Sequence, residues 1–406
     1  MDLLEEKYID LMLRGCLDAT KLNALLIHCD FYEHIEFAKR VAKRAKELGV
    51  NDVLIHVNDL DAIHSYLLDT ELDDIKVNPL IDRSPWDEYA KKGGAILFLN
   101  STVPGLMDDV PVEKVDKMIR ERLKTCPFYR ENVSRHTFPW TIVAVPNERW
   151  AKFVYGNDEE AYKKLYLAII KMCMADKDDP VKAWEEYKEK LNYYAKRLSS
   201  LQIKTMHYTN SLGTDLVVTI PQGNRWLSID KGLINGCNVM FNCPSFEVFT
   251  SPDARKTEGI VYGTTPFYFN GSCINDFSIS FKNGKAVDCT AKQGQDVLEN
   301  GLFKEEHSCY LGEVALVAKD SPVAQTGIVY HETLFDENAK PHLAVGSGFP
   351  DTFENYQNLS TEELVKKGLN IGSIHQDFMI GTDDLNIEAE TNEGLKLIFK
   401  NGNFNL

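Results

Sequence analysis

The segment "SIHQDFMIGTDD", residues 373–384, combines two potential metal ligands with a strongly apolar background. His375 and Asp377 stand two residues apart among Ile374, Phe378 and Met379, a pattern that predicts a buried strand. Side chains at positions i and i+2 leave the same face of a strand, so the imidazole and the carboxylate point the same way. A buried carboxylate is costly unless it is paired, hydrogen-bonded or bound to a cation. The segment therefore predicts an ion pair, a hydrogen-bond network or a metal site.

Further carboxylates and imidazoles lie in short segments of the second half of the chain. Glu247 and Glu313 each precede apolar residues, and Glu337 and His342 share the segment "LFDENAKPHLAVG". Mixed nitrogen and oxygen ligands suit one or two ions such as Zn²⁺, Co²⁺ or Mn²⁺ better than Ca²⁺. No HExxH, CxxC or EF-hand pattern is present in the sequence, so spacing alone does not assemble a site. An ordinary hydrogen-bonded polar residue stays the alternative for each position.

Bulk composition narrows the class of protein. The chain has 406 residues, and about 150 residues per domain predicts two or three domains. A net charge of −16 disfavours nucleic acid and anionic membranes as partners. The first residues lack the features of a signal peptide, and no apolar run is long enough for a membrane span. Nine scattered cysteines without a CxxC pair indicate reduced thiols, and hence a cytoplasmic protein.

The first half of the chain alternates between strand and helix patterns. Apolar runs predict strands within residues 22–29, 50–57, 93–100 and 140–147, and helical spacing occurs within residues 32–49 and 111–125. Such alternation predicts βαβ units, which form a parallel sheet covered by helices. We therefore predict an α/β N-terminal domain over residues 1–200.

The second half of the chain has a different sequence pattern from the first. A charged segment, residues 179–199, predicts a long helix that links the halves. After it come alternating β-type segments and an Asn283-Gly284 hairpin turn. We predict an α+β C-terminal metal-binding domain over residues 201–406.

Several segments, taken in order, resemble the thermophilic-aminopeptidase (M29) family of metallopeptidases. The segments are "VAVPNERWAKFVYG" (143–156), "GTDLVVTIP" (213–221), "FNCPSFEVFTSPDARKTEGIVYGT" (241–264), "GEVALV" (312–317), "LFDENAKPHLAVG" (334–346) and "SIHQDFMIG" (373–381). The resemblance implies an α/β domain followed by a metal domain, a homodimer, and two divalent metal ions, which could be Zn, Co, Mn or Mg. It also implies an enzyme that hydrolyses the N-terminal residue from peptides with a free N-terminus.

The resemblance also implies which residues of this sequence form the site. The metal ligands that it implies are Glu247, Glu313, His342, His375 and Asp377. Glu337 is our choice for the catalytic base or a residue supporting the site, and its alternative interpretation is a turn residue that caps the next segment. According to this prediction, a metal ion is the partner of both His375 and Asp377.

Two positions depart from the family pattern. Phe349 stands where the family usually has a Tyr thought to assist catalysis, and Ser245-Phe246 replaces a usual Thr-Gly. One alternative is therefore a metal-binding homologue with weakened catalysis. Another is a non-enzymatic protein that binds a small molecule, although the first strand–helix turn, "HCDFYEH", has none of the glycines of a dinucleotide site.

Overall fold

The computed structural model describes residues 3–134, 137–229, 233–234 and 236–406. The chain forms two units, one within Met1–Tyr187 and Asp230–Pro244 and the other of Lys188–Ile229 and Ser245–Leu406. The division into domains 1–200 and 201–406 stays a prediction.

The α-helices and strands of the described residues are numbered in chain order. The helices are α1 (Leu3–Asp10), α2 (Ile35–Glu47), α3 (Leu60–Asp69), α4 (Ser84–Lys91), α5 (Val112–Leu123), α6 (Pro127–Ser134), α7 (Glu148–Tyr155), α8 (Ala161–Met172), α9 (Pro180–Ser200), α10 (Thr333–Asp336) and α11 (Thr361–Lys367). The strands are β1 (Ala24–Cys29), β2 (Asp52–Val57), β3 (Ala95–Asn100), β4 (Trp140–Ala144), β5 (Thr205–Thr209), β6 (Asp215–Thr219), β7 (Leu233–Ile234), β8 (Cys237–Asn238), β9 (Asn242–Cys243), β10 (Glu247–Thr250), β11 (Thr257–Tyr262), β12 (Phe267–Phe269), β13 (Ser272–Lys282), β14 (Lys285–Gln293), β15 (Leu311–Val317), β16 (His342–Gly346), β17 (His375–Met379), β18 (Asn386–Thr391), β19 (Gly394–Lys400) and β20 (Asn403–Phe404).

The first unit is built on a five-stranded parallel sheet with strand order β2-β1-β3-β4-β9. β1 is buried along its whole length, as expected for a strand in a sheet covered on both faces. In α2 the buried residues Ala38, Val41 and Ala45 recur at helical spacing, and Gly49, with φ of 102°, follows the end of that helix. The predicted parallel sheet is confirmed, whereas the contribution of β9 has no counterpart in the prediction.

The second unit contains two antiparallel sheets. The larger has the order β12-β13-β11-β6-β5-β18-β19-β20, with β14 paired to β13, and the smaller has the order β10-β15-β16-β17. The predicted hairpin turn joins β13 to β14, where Asn283 and Gly284 both have positive φ (50° and 81°). Two central residues with positive φ match the right-handed twist of the flanking strands. The smaller sheet carries the residues singled out by the sequence.

Two findings concern the chain as a whole. None of the helices in the described residues is both long and apolar enough to cross a membrane. All nine cysteines lie in the described ranges, and none of them is part of a disulfide.

The motif "VAVPNERWA" has a structural role at the start of α7. Asn147 caps that helix, because its Oδ1 accepts a hydrogen bond from Trp150 N at 2.7 Å. Its Nδ2 donates to Ser101 Oγ at 2.9 Å and to Thr102 O at 2.8 Å, and the residue is 1% exposed. One buried amide therefore fixes the loop after β3 to the loop after β4.

We predict that Asn147→Ala lowers the free energy of unfolding by about 3 kcal/mol, because it removes a helix cap and leaves buried acceptors without donors. Asn147→Asp keeps the capping oxygen but loses both donated bonds, so its loss should be intermediate. Urea unfolding of the two variants and the wild type measures this. Equal stability of all three would contradict the assigned role.

Candidate metal centre

The register of the four-stranded sheet places all five predicted ligands on one face. Gly346 pairs with His375 and Ala344 with Asp377 across β16 and β17. On the other side of β16, Ala344 pairs with Glu313 and His342 with Ala315. Paired residues project from the same face, and so do residues two apart along a strand.

Glu247 joins the same face through β10. It pairs with Val317 of β15, which lies four residues beyond Glu313 and therefore projects on the same side. Small residues separate the predicted ligands on this face: Ala344 lies between Glu313 and Asp377, and Ala315 lies beside His342. Methyl groups at these positions leave the space above the sheet to the longer carboxylate and imidazole side chains.

The five side chains form two triads. One consists of Glu247, Glu313 and His342, the other of Glu313, His375 and Asp377, and in each triad one potential ligand atom per residue lies within 4.8 Å of the others. His342 Nε2 is 3.1 Å from Glu247 Oε2. His375 Nε2 is 3.1 Å from Glu313 Oε2 and 3.3 Å from Asp377 Oδ1. Glu313 belongs to both triads, which makes it the centre of the cluster.

Backbone carbonyls fix the orientation of both imidazoles. His375 Nδ1 is 2.6 Å from Ser347 O, and His342 Nδ1 is 3.2 Å from Lys340 O. A carbonyl can only accept, so Nδ1 carries the proton in each ring and Nε2 faces the carboxylates. Histidines that bind metals usually donate their second N–H to a carbonyl or carboxylate in this way.

The electrostatics of the cluster are those of a partly buried, acid-rich site. Burial raises the pKa of Glu313 to about 7, although the hydrogen bond with His375 opposes the increase. Burial would lower the pKa of His342, but the hydrogen bond with Glu247 and the nearby carboxylate charges raise it to about 10. Burial also opposes the charged forms of His375 and Asp377, yet their mutual attraction raises the pKa of the first and lowers that of the second. The imidazoles thus act as counter-ions for the carboxylates.

The donor set fits divalent cations. Asp377 Oδ1 is buried and has no hydrogen-bond partner among the described residues, although it lies in the ion pair with His375. A buried carboxylate oxygen of this kind is satisfied by a cation. Two oriented imidazoles and three carboxylates match the ligands that transition-metal and zinc sites use. His375, with its side chain 28% exposed, is the most accessible of the five.

Glu337, the predicted base, lies just after α10 and is 8% exposed. Burial raises its pKa well above the usual range, and the charges of Asp377, Glu247 and Glu313 raise it further while that of His342 opposes them. The charges of the candidate ligands therefore act on Glu337, although it belongs to neither triad. Asn338 Nδ2 donates to its Oε1 at 3.4 Å.

Phe349 also lies beside the cluster. Its ring centroid is 5.0 Å from that of His375 and 5.0 Å from that of Phe249. Its backbone N–H donates to Ser251 Oγ at 2.8 Å. Phe246, the other departure, is fully buried, and its N–H donates to Asn338 Oδ1 at 2.5 Å. The family Tyr position is therefore in contact with a predicted ligand.

Sequence reasoning missed the groups that hold the ligands in place. Besides the carbonyls of Ser347 and Lys340, Asn370 Nδ2 donates to Gly346 O at 2.6 Å and to His307 O at 2.7 Å. This amide anchors the end of β16 next to the carbonyl that orients His375. Backbone carbonyls have no sequence signature, and nothing in "KKGLNIGS" distinguishes Asn370 from a loop residue.

Comparison with known proteins gives one consistent result. The profile of the family described as thermophilic metalloprotease (M29) matches residues 2–404. Aminopeptidase PepS of Streptococcus thermophilus is 33% identical over 406 residues, which cover 98% of this chain and 97% of that protein. Aminopeptidase AmpS of Bacillus subtilis (strain 168) is 33% identical over 372 residues, which cover 91% of this chain and 90% of that protein.

A solved structure agrees with the sequence matches. Wild-type AmpT from Thermus thermophilus has a TM-score of 0.89 and 26% identity to this chain, and the match covers 100% of this chain and 99% of that one. The similarity therefore extends over the parallel sheet of the first unit and the antiparallel sheets of the second.

Gly312 gives a test of how the sheet supports the cluster. A Cβ at this position would lie 2.5 Å from Gly346 O and 2.5 Å from Ser347 O, which are backbone atoms that cannot easily move. The pairing of β15 with β16 is irregular at this point, between Leu311 and Glu313. We predict that Gly312→Ala lowers the free energy of unfolding by about 2 kcal/mol and weakens metal binding, because it displaces Glu313 and the carbonyl that orients His375.

Metal titration and urea unfolding measure the two effects. Gly372→Ala is the control, because its added Cβ would lie 3.1 Å from His307 Cβ and no nearer than 3.6 Å to any backbone atom of another segment. It should cause the smaller loss of both metal affinity and stability. Wild-type metal affinity in Gly312→Ala would show that this close approach does not position the ligands.

Proposed function

Because the chain belongs to the thermophilic metalloprotease (M29) family, we propose that it is an aminopeptidase that removes N-terminal residues from peptides with the help of divalent metal ions. The observation that carries this proposal is the pair of carboxylate–imidazole triads that share Glu313 on one face of a sheet. Relatives that match almost the whole chain at 33% identity are named aminopeptidases. A homologue with weakened catalysis or a non-enzymatic binding protein is therefore not favoured.

Five side chains of the second unit would hold two ions. Glu247 and His342 belong to one triad, His375 and Asp377 to the other, and Glu313 would contact both ions. When bound, such a pair of ions makes hydroxide available near neutral pH and polarises the scissile carbonyl.

The chain's own residues supply orientation and proton transfer. Ser347 O and Lys340 O hold the two imidazoles with Nε2 directed into the site. Glu337 is the group that we assign to proton transfer: its carboxylate takes a proton from the attacking water and delivers it to the leaving amine nitrogen as the C–N bond breaks. Its burial beside the acidic cluster keeps this proton away from bulk solvent.

Selectivity for the chain end follows from charge. A free α-amino group has a pKa near ~8, so it is largely protonated at neutral pH and pairs with a carboxylate, or binds a metal once neutral. An internal peptide bond offers neither interaction. An acid-rich site therefore favours the substrate's N-terminus over the interior of its chain.

Several finer properties stay predictions. They are residues 201–406 as the catalytic domain, Zn, Co, Mn or Mg as the ions, a homodimer, and a cytoplasmic location. The homodimer rests on the family resemblance alone, and light scattering at micromolar protein concentration would test it.

The proposed activity is tested with an amino-acyl p-nitroanilide and its N-acetylated counterpart. We expect hydrolysis of the first and not of the second, loss of the activity after chelation, and recovery on addition of Zn²⁺, Co²⁺ or Mn²⁺. Equal cleavage of both substrates, or activity that survives complete metal removal, would overturn the proposal.

The sharing of Glu313 predicts a pattern of metal loss. Glu313→Ala should remove both ions, whereas His342→Ala and Asp377→Ala should each remove one, because each belongs to a single triad. Elemental analysis of the purified variants measures the number of bound ions. Glu388→Ala, which removes an exposed carboxylate of β18, serves as the control and should bind like the wild type. Wild-type metal content in Glu313→Ala would contradict the assignment.

The absence of the family Tyr at position 349 predicts that Phe349→Tyr increases activity. If the family Tyr donates a hydrogen bond to the developing oxyanion, its absence costs about 10²–10³ in kcat. Phe349→Tyr should then raise kcat by up to about 10²-fold and change KM and metal content less. The ring already contacts His375, and the substitution adds one hydroxyl, so overpacking should be small. Steady-state kinetics at full metal occupancy measures the effect.

The matched control is Phe349→Leu, which changes the packing without adding a donor and should not raise kcat. The alternative is that another hydroxyl, from Tyr330 or Tyr356, already replaces the family Tyr. Tyr330 is fully buried with its ring 5.4 Å from that of Phe335, and Tyr356 packs on the cluster around Phe353. A kcat of Phe349→Tyr equal to or below that of the wild type would rule out the missing donor.

A further inference from the structure

A second cluster of ionisable side chains lies in the first unit, at the carboxyl edge of the parallel sheet. Its cations are Arg83, which directly precedes α4, and Arg122, near the end of α5. Arg122 is 8% exposed, and the Arg83 guanidinium lies over the Trp86 ring at 3.9 Å. Both residues are far in sequence from the metal centre and play no part in the proposed mechanism.

Both guanidinium groups have buried donors without acceptors. Within the described residues, Arg83 Nε, Arg122 Nε and Arg122 Nη2 are buried and have no hydrogen-bond partner. Arginine presents five N–H donors in a rigid fork, and buried polar groups in proteins are nearly always paired. Three unpaired donors on two neighbouring arginines therefore need an acceptor from outside this set of residues.

The charge of the cluster is also unbalanced. The charge of the Asp30 carboxylate acts on both arginines, and one of its oxygens already accepts from Ser101 N at 3.1 Å. Burial and the charge of Arg83 lower the pKa of Arg122 to about 9, which still leaves it protonated at neutral pH. The two guanidinium groups thus share the charge of Asp30 in a place where an unpaired charge is expensive.

Two histidines complete the cluster without adding charge. His28 Nδ1 is 3.3 Å from His56 Nδ1, which also accepts from Trp86 Nε1 at 3.3 Å. Burial lowers the pKa of His28, and burial followed by the charge of His28 lowers the pKa of His56 to about 4. Both rings are therefore neutral at pH 7, and the excess positive charge belongs to the arginines.

The position of the cluster is one that open parallel sheets use for ligands. The strand order β2-β1-β3-β4 means that the chain leaves β1 towards one edge of the sheet and returns on its other side at β3. Such a reversal of strand order is called a topological switch point. In open α/β sheets, ligands bind at this point, outside the carboxyl ends of the strands. Asp30 directly follows β1, and Ser101 directly follows β3. His28 is the second-to-last residue of β1, and His56 is the second-to-last residue of β2.

We propose that Arg83 and Arg122 bind a small oxyanion, a carboxylate or phosphate group, at the switch point of the parallel sheet. The guanidinium fork matches the geometry of both groups, and one negative charge balances the excess of the cluster. Recognition is by side chains, since the turn after β1 has none of the glycines of a phosphate-binding loop.

The test is calorimetric titration of the full-length, metal-loaded protein with inorganic phosphate and, separately, with acetate, both in chloride buffer. We expect Arg122→Met to raise the Kd of the bound oxyanion by about tenfold or more, because charge-assisted hydrogen bonds are lost. Arg130→Met, which removes a neighbouring exposed arginine, should leave the Kd unchanged. Binding of either anion to the metal centre is common to all three proteins and cancels in the comparison.

The two ligands distinguish the source of the oxyanion. Phosphate binding that depends on Arg122 indicates a phosphate-bearing ligand, and acetate binding that depends on Arg122 indicates a carboxylate. The same response of all three proteins to both anions, or the absence of binding, would overturn the proposal.

A stability measurement separates a ligand site from a structural role. In chloride buffer without oxyanions, Arg122→Met should unfold at the same or a higher temperature than the wild type, because it removes an unpaired buried charge. A lower unfolding temperature together with an unchanged Kd would show that Arg122 is structural. If Arg122→Met does not fold, Arg122→Lys keeps the charge but not the fork, and an unchanged Kd in that variant would equally overturn the proposal.

Discussion

The structure of the second unit depends on the cost of burying carboxylates close together. Glu313 is 3% exposed and lies in both triads of the metal centre, with three other carboxyl groups and two imidazoles around it. Like charges at this distance cannot all stay ionised without a counter-charge. Imidazolium groups balance part of the charge, and divalent cations would balance the remainder. The metal is in this sense a requirement of the protein's own charge distribution as well as of the proposed chemistry.

The geometry of the strands is sufficient to bring the carboxylates and imidazoles together on one face of the sheet. Because side chains alternate, one register fixes which residues share a face, and a shift by one residue in any strand would move a ligand to the opposite face. Ala315, Ala344 and Gly346 occupy the site face between the predicted ligands, whereas Val314 and Leu343 pack into the core on the other face. Motifs such as "EVAL" and "HLAVG" thus combine ligand, spacer and core residue in one alternating pattern.

Features that depend on contacts between residues close in sequence could be predicted, whereas features that depend on contacts between distant segments could not. Alternation along a strand is local, so His375 and Asp377 could be placed on one face without a structure. The parallel sheet was predicted for the same reason, since each βαβ unit is continuous in sequence. The pairing of β9 with β4 could not be predicted, because a two-residue strand has no periodicity and its partner is about one hundred residues away. The remaining ligands came from family resemblance, since their proximity depends on registers among four separated strands.

The two clusters obey the same rule with opposite signs. At the metal centre, carboxylates outnumber imidazoles, and an acceptor, Asp377 Oδ1, has an ion-pair partner in His375 but no hydrogen-bond donor among the described residues. At the edge of the parallel sheet, the atoms without hydrogen-bond partners among the described residues are donors on Arg83 and Arg122. In the first case the family implies that the further partner is a divalent cation. The same argument supports the anion that we propose for the arginines, at the position in the sheet where open α/β folds bind their ligands.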